Sequence, residues 1–304
     1  MSPELYQKLL TEGGCLDLSA RAKWRLSGAD RVRYLNGQVT HDVRKANATS
    51  ALHACVTNLK GKIEGDIFIH AMEDSLILDA PEALREILGI RLERYIIADD
   101  AVLEDITEEW QIWHCFGEMA PESSQAELIG TGSRLISSQR LGLPGCDWWH
   151  PISAKAPALP ASPLTAEEAE CFRILQKIPS CPSELNPDTF PQEAGLEKET
   201  MSYTKGCYIG QEILSRIKTT GKMPREMMAW QSVGPELLLN GASLSLAGKV
   251  IGTITSQTLD PLSGHPVGLG FVRLGLVTLD SELLVADEVS SISSVVKITA
   301  LFNQ

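Results

Sequence analysis

The densest run of chemistry-bearing residues is the segment from Lys205 to Gly221, KGCYIGQEILSRIKTTG. Ile213, Leu214 and Ile217 fall on one face at helical spacing, and Gly221 stops the run with Lys218 near its last turn. Glu212 belongs to the first turn, where a carboxylate suits the helix dipole. The helix is therefore predicted to begin near Gly210, with Cys207 in the loop just before it. Gly206 and Gly210 bracket that loop and permit a tight backbone with exposed amide groups. A cysteine at a helix N-terminus and beside Lys205 is expected to have its thiolate favoured. Such a thiol is a nucleophile, a redox sensor or a metal ligand; the plainer alternative is a packed and inert cysteine. One thiol cannot hold an iron–sulfur cluster, which takes four protein ligands.

The elements that must position this segment are legible on either side of it. Asp30 is placed to cap a short helix carrying Val32 and Leu35 and ended by Asn36-Gly37. Asp66 to His70 and Ser75 to Leu78 read as strands joined by a polar turn. Pro81 opens a helix with Leu84, Ile87, Leu88 and Leu92 on one face, and Ala101 to Ile106 returns as a strand. This order is α+β in character and lacks the Gly-rich turn of a dinucleotide fold. Residues 144–163 carry five prolines with Ala and Ser and are predicted to be a linker or long surface loop. Thr165 caps the next helix, with Glu168 three residues on. After Arg225 the texture changes to short β-type runs separated by Gly, Pro, Asn and Asp, the pattern of a small β-barrel or sandwich. Two regions are expected, 1–224 and 225–304.

Composition bounds the rest. A chain of 304 residues buries roughly three quarters of its unfolded surface without a metal or disulfide staple. Seven scattered cysteines with no CxxC pair argue against a disulfide scaffold or a local zinc site, and no metal site is expected. No run reaches the length of a membrane span and no signal-peptide pattern opens the chain, so a cytoplasmic location is the expectation; without coiled-coil heptads or a long exposed apolar edge, a monomer is expected. The net charge of −12 argues against non-specific nucleic-acid binding. Two stretches run the other way: 21–45 holds seven basic against two acidic residues, and 205–225 holds five against one. They are read as two solvated faces or as walls of an electropositive channel.

KGCYIGQE at 205–212 resembles the K-G-C-Y-x-G-Q-E signature of the YgfZ family, within the aminomethyltransferase (glycine-cleavage T-protein) superfamily. Further blocks resemble that family in order: Leu26 to Asp30, Tyr34 to Asp42, Thr57 to Ile63, Arg173-Ile174 with Ile178-Pro179, Pro191 to Leu196, then Gly221 and Arg225. The likeness spans nearly the whole chain and is weakest across 110–165. It implies a folate-binding body of two α+β subdomains plus a C-terminal β-barrel, in a ring around a folate channel. It further implies a bound reduced folate such as tetrahydrofolate, iron–sulfur proteins or their assembly machinery as partners, and indirect effects on tRNA modification. Cys207 carries the functional cysteine, with Lys205, Gly206, Tyr208, Gly210, Gln211 and Glu212 completing the motif. Arg21, Asp66, Arg173 and Arg225 match folate-side positions.

Two departures from true aminomethyltransferases stand out. Their paired Asp after Gly-Gly-Ile is here Gly65-Asp66, and the Glu of their Arg-Leu-Glu is here Leu175. Leucine cannot accept the hydrogen bonds that a carboxylate offers a pterin edge, a loss of about 1.5–3 kcal/mol for a charged bond. The rival readings are a folate-dependent aminomethyltransferase or demethylase acting on a small amine, and an interaction module without folate. His41-Asp42 reads as structural or ligand-lining, and His53, His70, His114 and His150 lack metal-ligand spacing. Trp148-Trp149 reads as an anchor for the linker, with stacking on a pterin as the alternative. Gly264-His265-Pro266 reads as a barrel turn.

Overall fold

A computed structural model describes residues 1–120, 132–155, 157–286 and 294–302. The chain divides into two compact units, one made of Gln7–Thr165 with Glu199–Gln211, the other of Met1–Tyr6, Ala166–Lys198 and Glu212–Gln304.

The first unit follows helix α1 (Pro3–Thr11), which begins in the other unit. It comprises strands β1 (Gly14–Asp17) and β2 (Ala22–Ser27), helix α2 (Arg31–Gln38), then β3 (Leu52–Thr57), β4 (Ile63–Ala71) and β5 (Ser75–Ala80). Helix α3 (Arg85–Glu93), β6 (Val102–Asp105), β7 (Trp110–Phe116), β8 (Arg134–Ser138) and β9 (Gly145–Pro151) complete it. Two antiparallel sheets result, in orders β3-β4-β5-β2-β6 and β1-β7-β9-β8.

Period-two alternation sorts the five-stranded sheet into two unlike faces. Ala54, Val56, Ile67, Ile69, Leu76, Leu78, Trp24 and Leu26 share one face and form an apolar core with Leu35 of α2 and Leu88 and Leu92 of α3. The residues between them, His53, Cys55, Asp66, Phe68, His70, Asp79 and Lys23, fall on the other face. Part of that face packs on the second sheet through Ile77, Ile112, Ile136 and Trp149. The remainder is polar, and the candidate site lies there.

The structure departs from the sequence expectations at definite places. Helix α2 runs on through Gly37 to Gln38, and Asp30 forms no side-chain cap. Its carboxylate accepts instead from the Asp100 amide and pairs with Arg33. In α3, Leu88 and Leu92 are buried, whereas Ile87 is 68% exposed. The stretch 144–163 is not a linker throughout: Gly145–Pro151 is β9, a strand inside the second sheet. Trp149 packs between the sheets and Trp148 on the opposite face with Cys15, Trp113 and Cys115. A strand buried on both faces shows no polar alternation, so its prolines and tryptophans mimic an anchored loop.

The second unit contains α4 (Ala166–Leu175), the single turn α5 (Glu197–Thr200) at its border, and α6 (Gln211–Thr220). Six strands follow: β10 (Arg225–Ser232), β11 (Ser243–Leu246), β12 (Lys249–Leu259), β13 (Pro266–Arg273), β14 (Glu282–Ala286) and β15 (Ser294–Leu301). They close in the order β10-β13-β12-β11-β14-β15. Met228, Trp230, Leu244, Ile254, Val272, Leu283, Val296 and Ile298 fill the barrel core. The C-terminal barrel expected from the sequence is present. Its first strand shows no polar alternation, because Met227 to Trp230 are all buried.

Candidate functional site

The segment 199–211 is tied along the first unit by hydrogen bonds. Thr40 Oγ1 donates to the Thr200 carbonyl at 2.5 Å and accepts from the Cys55 amide at 2.9 Å. Further on, Ser202 N–H reaches the Thr40 carbonyl at 3.0 Å and Ile209 N–H the Gly37 carbonyl at 3.2 Å. Thr57 Oγ1 donates to the Ile209 carbonyl at 2.7 Å. Backbone bonds thus join the two family-like blocks at 34–42 and 205–212, a link that neither block reveals alone.

Lys205 anchors the join. Its buried ammonium donates to the carbonyls of Asn36 and Val39 at 2.6 Å each and of His41 at 2.8 Å. Three donors meet three acceptors at the C-terminal end of α2, where the dipole favours a cation. Burial pushes the Lys205 pKa down to about 7 against the opposing pull of Asp42. Its amino group is spent on these three carbonyls. The Tyr208 ring lies 4.7 Å from Nζ. The buried Tyr208 hydroxyl has no hydrogen-bond partner among the described residues.

Cys207 is exposed, between exposed Gly206 and buried Tyr208. Gln211 opens α6, its amide bonded to the Tyr208 carbonyl at 3.2 Å, and Glu212 is exposed. Gly210 has φ +86°, and a β-carbon there would stand 2.6 Å from the Asn58 carbonyl oxygen and 2.9 Å from Gly61 Cα. Only glycine meets both demands. Gly210→Ala is expected to cost about 1–3 kcal/mol through the strained conformation alone, measurable as a lower denaturant midpoint.

The polar face of β3 and β4 carries a second cluster. His53 Nε2 lies 2.5 Å from Asp66 Oδ1 and its Nδ1 lies 3.7 Å from Glu199 Oε2. The imidazole stacks on Phe68, centroids 4.4 Å apart and planes 4° from parallel. Burial alone would lower the His53 pKa, but the Asp66 carboxylate outweighs it and raises the value to about 9. Asp66 stays below the usual carboxylate range: burial pushes it up, and His53, Arg21 and Arg140 more than reverse that. His53, Phe68 and Glu199 wall a cavity of about 340 Å³ with Ser50, Ser137, Ser138 and Gln139. Its size and mix of donors, acceptors and ring edges fit a small polar ligand.

Behind the cavity, Asp79 of β5 and Asp147 of β9 face each other across the two sheets, with Arg140 between them. Arg140 bonds both carboxylates, at 2.8 Å to Asp79 Oδ2 and 2.7 Å to Asp147 Oδ2. Arg21 adds a 2.5 Å bond to Asp79, and His114 a 2.8 Å bond to Asp147. Arg21 is thus near Asp66 electrostatically while its hydrogen bonds go to Asp79. The basic stretch 21–45 is not an open cationic wall, since Arg21, Arg25, Arg33 and Arg44 each meet carboxylates.

Arg173 and Arg225 lie in the second unit. Arg173 engages Glu170, the Ile178 carbonyl, Glu184 and Ser256. Arg225 engages Glu193, the Asp188 carbonyl and Thr189, with its guanidinium over Phe271. Glu184, fully buried, takes up further bonds from Thr255 and Ser256 at 2.6 Å each. His53, Glu199 and Arg140 were not singled out as site residues from the sequence. The register that sets His53 opposite Phe68, two residues from Asp66, exists only in the folded sheet.

No family model matches the chain. The aminomethyltransferase of Nostoc sp. strain PCC 7120 is 34% identical over 316 residues, covering 91% of this chain and 81% of that protein. The mitochondrial iron–sulfur cluster assembly factor IBA57 of Mus musculus is 26% identical over 282 residues, covering 85% and 77%. Among solved structures, the glycine cleavage system aminomethyltransferase T of Bartonella henselae matches with a TM-score of 0.80. That match covers 96% of this chain and 86% of the other at 16% identity, which establishes a shared fold. Among the described residues no helix is long and apolar enough to cross a membrane.

Proposed function

Because the chain belongs to the aminomethyltransferase (glycine-cleavage T-protein) superfamily, as a YgfZ-like member, we propose that it is a folate-binding accessory protein for iron–sulfur enzymes. It supports synthesis or repair of their clusters, with indirect effects on tRNA modification, and acts as a cytoplasmic monomer. The observation that carries this reading is the placement of Cys207. An exposed thiol sits on a loop whose two ends are held, by Lys205 to the end of α2 and by Thr57 to Ile209. A side chain presented outward on an immobilised backbone suits reaction with a macromolecular partner. The relative named as an iron–sulfur cluster assembly factor points the same way.

A reduced folate would occupy the cavity beside His53, Phe68 and Glu199. In this chain those residues bind and orient it; the folate, when bound, supplies one-carbon chemistry. Two experiments test the proposal. Cys207→Ser, expressed in cells lacking the native protein, is expected to leave iron–sulfur enzyme activity near the level of the null strain. Full rescue by the variant would refute a thiol mechanism. Titration of the purified protein with tetrahydrofolate is expected to give saturable binding.

The second reading, a folate-dependent aminomethyltransferase or demethylase acting on a small amine, is favoured by the relatives named aminomethyltransferase. It needs a carboxylate free to move a proton, and Asp66 is bonded to His53 at 2.5 Å. Turnover of a glycine-derived aminomethyl donor or sarcosine, lost in Asp66→Asn, would establish it in place of the first.

A further inference from the structure

The family resemblance sets Asp66 among the ligand contacts, yet the cavity is lined by His53 and not by Asp66. We infer that His53 is the polar group that meets an acceptor-bearing ligand in this cavity, and that Asp66 acts on the ligand only through His53. Taking that ligand to be a folate rests on the function proposed above.

Two contacts fix the imidazole. Nε2 is held by Asp66 Oδ1 at 2.5 Å, and the ring plane is set by Phe68 at 4.4 Å. Phe68 is itself backed by Arg140, whose guanidinium carbon lies 4.1 Å from the ring centroid. Nδ1 must then project toward Glu199, whose Oε2 at 3.7 Å lies beyond hydrogen-bond reach. The side chain of Glu199 is 62% exposed, so its attraction is partly screened by water. Among the described residues, Nδ1–H thus faces only the exposed Glu199 carboxylate, which attracts it without closing to hydrogen-bond distance, and it remains open to an acceptor on a ligand in the cavity.

The charges around the ring all bear on its protonation. Asp66 on β4 and Glu199 on the motif segment favour the imidazolium, and Arg21 and Arg140 keep Asp66 ionised. The Cys55 thiol on β3 is pushed up by burial and stays neutral beside them. His53 is consequently charged at neutral pH, with its value raised to about 9. An imidazolium donor beside the hydroxyls of Ser50 and Ser137 and the amide of Gln139 calls for an acceptor on the ligand. A ring carbonyl or a carboxylate meets that requirement.

The test pairs His53→Gln with Asp66→Asn and the double variant, all checked for unchanged thermal midpoints. Tetrahydrofolate affinity is expected to fall at least tenfold in each single variant, and no more than threefold further in the double. Losses that multiply to a hundredfold would mean that Asp66 meets the ligand directly, which overturns the inference. Independently of any ligand, nitrogen-15 spectra of the six histidines report the His53 charge. Its titration midpoint is expected to fall by more than one pH unit in Asp66→Asn; an unchanged midpoint overturns the inference. Should tetrahydrofolate fail to bind the wild-type protein, the folate reading falls, and the midpoint alone decides for or against His53.

Discussion

Arg140→Ala is expected to destabilise the protein by about 3–5 kcal/mol, the typical cost of removing one partner from a buried ion pair. The side chain of Arg140 is 6% exposed and each of its carboxylates, Asp79 and Asp147, is 1% exposed. The truncation would leave two negative charges facing each other between the sheets, with Arg21 still bonded to Asp79 and with His114 and Ser138 still bonded to Asp147. Arg85, by contrast, meets Asp105 and Glu108 at the surface, 35% exposed itself. Arg85→Ala is accordingly expected to cost less than about 1 kcal/mol. The pH dependence separates charge from packing. Burial would raise both Asp79 and Asp147, but Arg140 reverses this and holds each lowered. A depressed carboxylate contributes stability that is present above its unfolded value, about 3.9, and is lost as pH falls through its folded one. Without Arg140 the carboxylates rise, so protonation relieves the variant. Its deficit against wild type should shrink between pH 7 and pH 4, as urea midpoints at each pH would record. A constant deficit would assign the loss to packing against Phe68.

What the sequence made legible follows the range of the interactions. Helix α6 could be placed between Gly210 and Gly221 because both boundaries are local: glycine at each end and one apolar face between. The barrel was legible because short runs ended by turn residues mark hairpins without knowledge of what they pack on. Strands β9 and β10 were missed for the opposite reason, being buried on both faces and so without alternation. The polar cluster was out of reach altogether. His53 and Glu199 are separated by nearly half of the chain, and nothing local in either residue marks the other as its neighbour. Arg140 likewise reads as an ordinary turn cation until the two sheets set Asp79 and Asp147 on either side of it. Pairings set by sheet register and layer packing carry no signal at the positions they join.

Lys205→Met is expected to lower stability by about 2–4 kcal/mol and to abolish iron–sulfur support in cells although Cys207 remains. Methionine keeps the length of the side chain and removes its three donors. The carbonyls of Asn36, Val39 and His41 then lose a buried partner, at about 1–3 kcal/mol for each group left unsatisfied and less where water enters. Arginine should not rescue the variant, because a planar fork cannot reach three carbonyls converging on one point. The pH dependence again identifies the cause. Burial lowers the Lys205 pKa to about 7, against about 10.4 in the unfolded chain. Between those values the unfolded state binds more protons, so the wild-type contribution from this group rises with pH. The gap between wild type and Lys205→Met should therefore widen from pH 7 to pH 10. Hydrogen exchange locates the damage: the amides of Ser202 and Ile209, bonded to Thr40 and Gly37, should exchange faster, while the barrel amides keep their protection. Loss of cellular function with those two amides unchanged would place the role of Lys205 in chemistry at Cys207 and not in holding its loop.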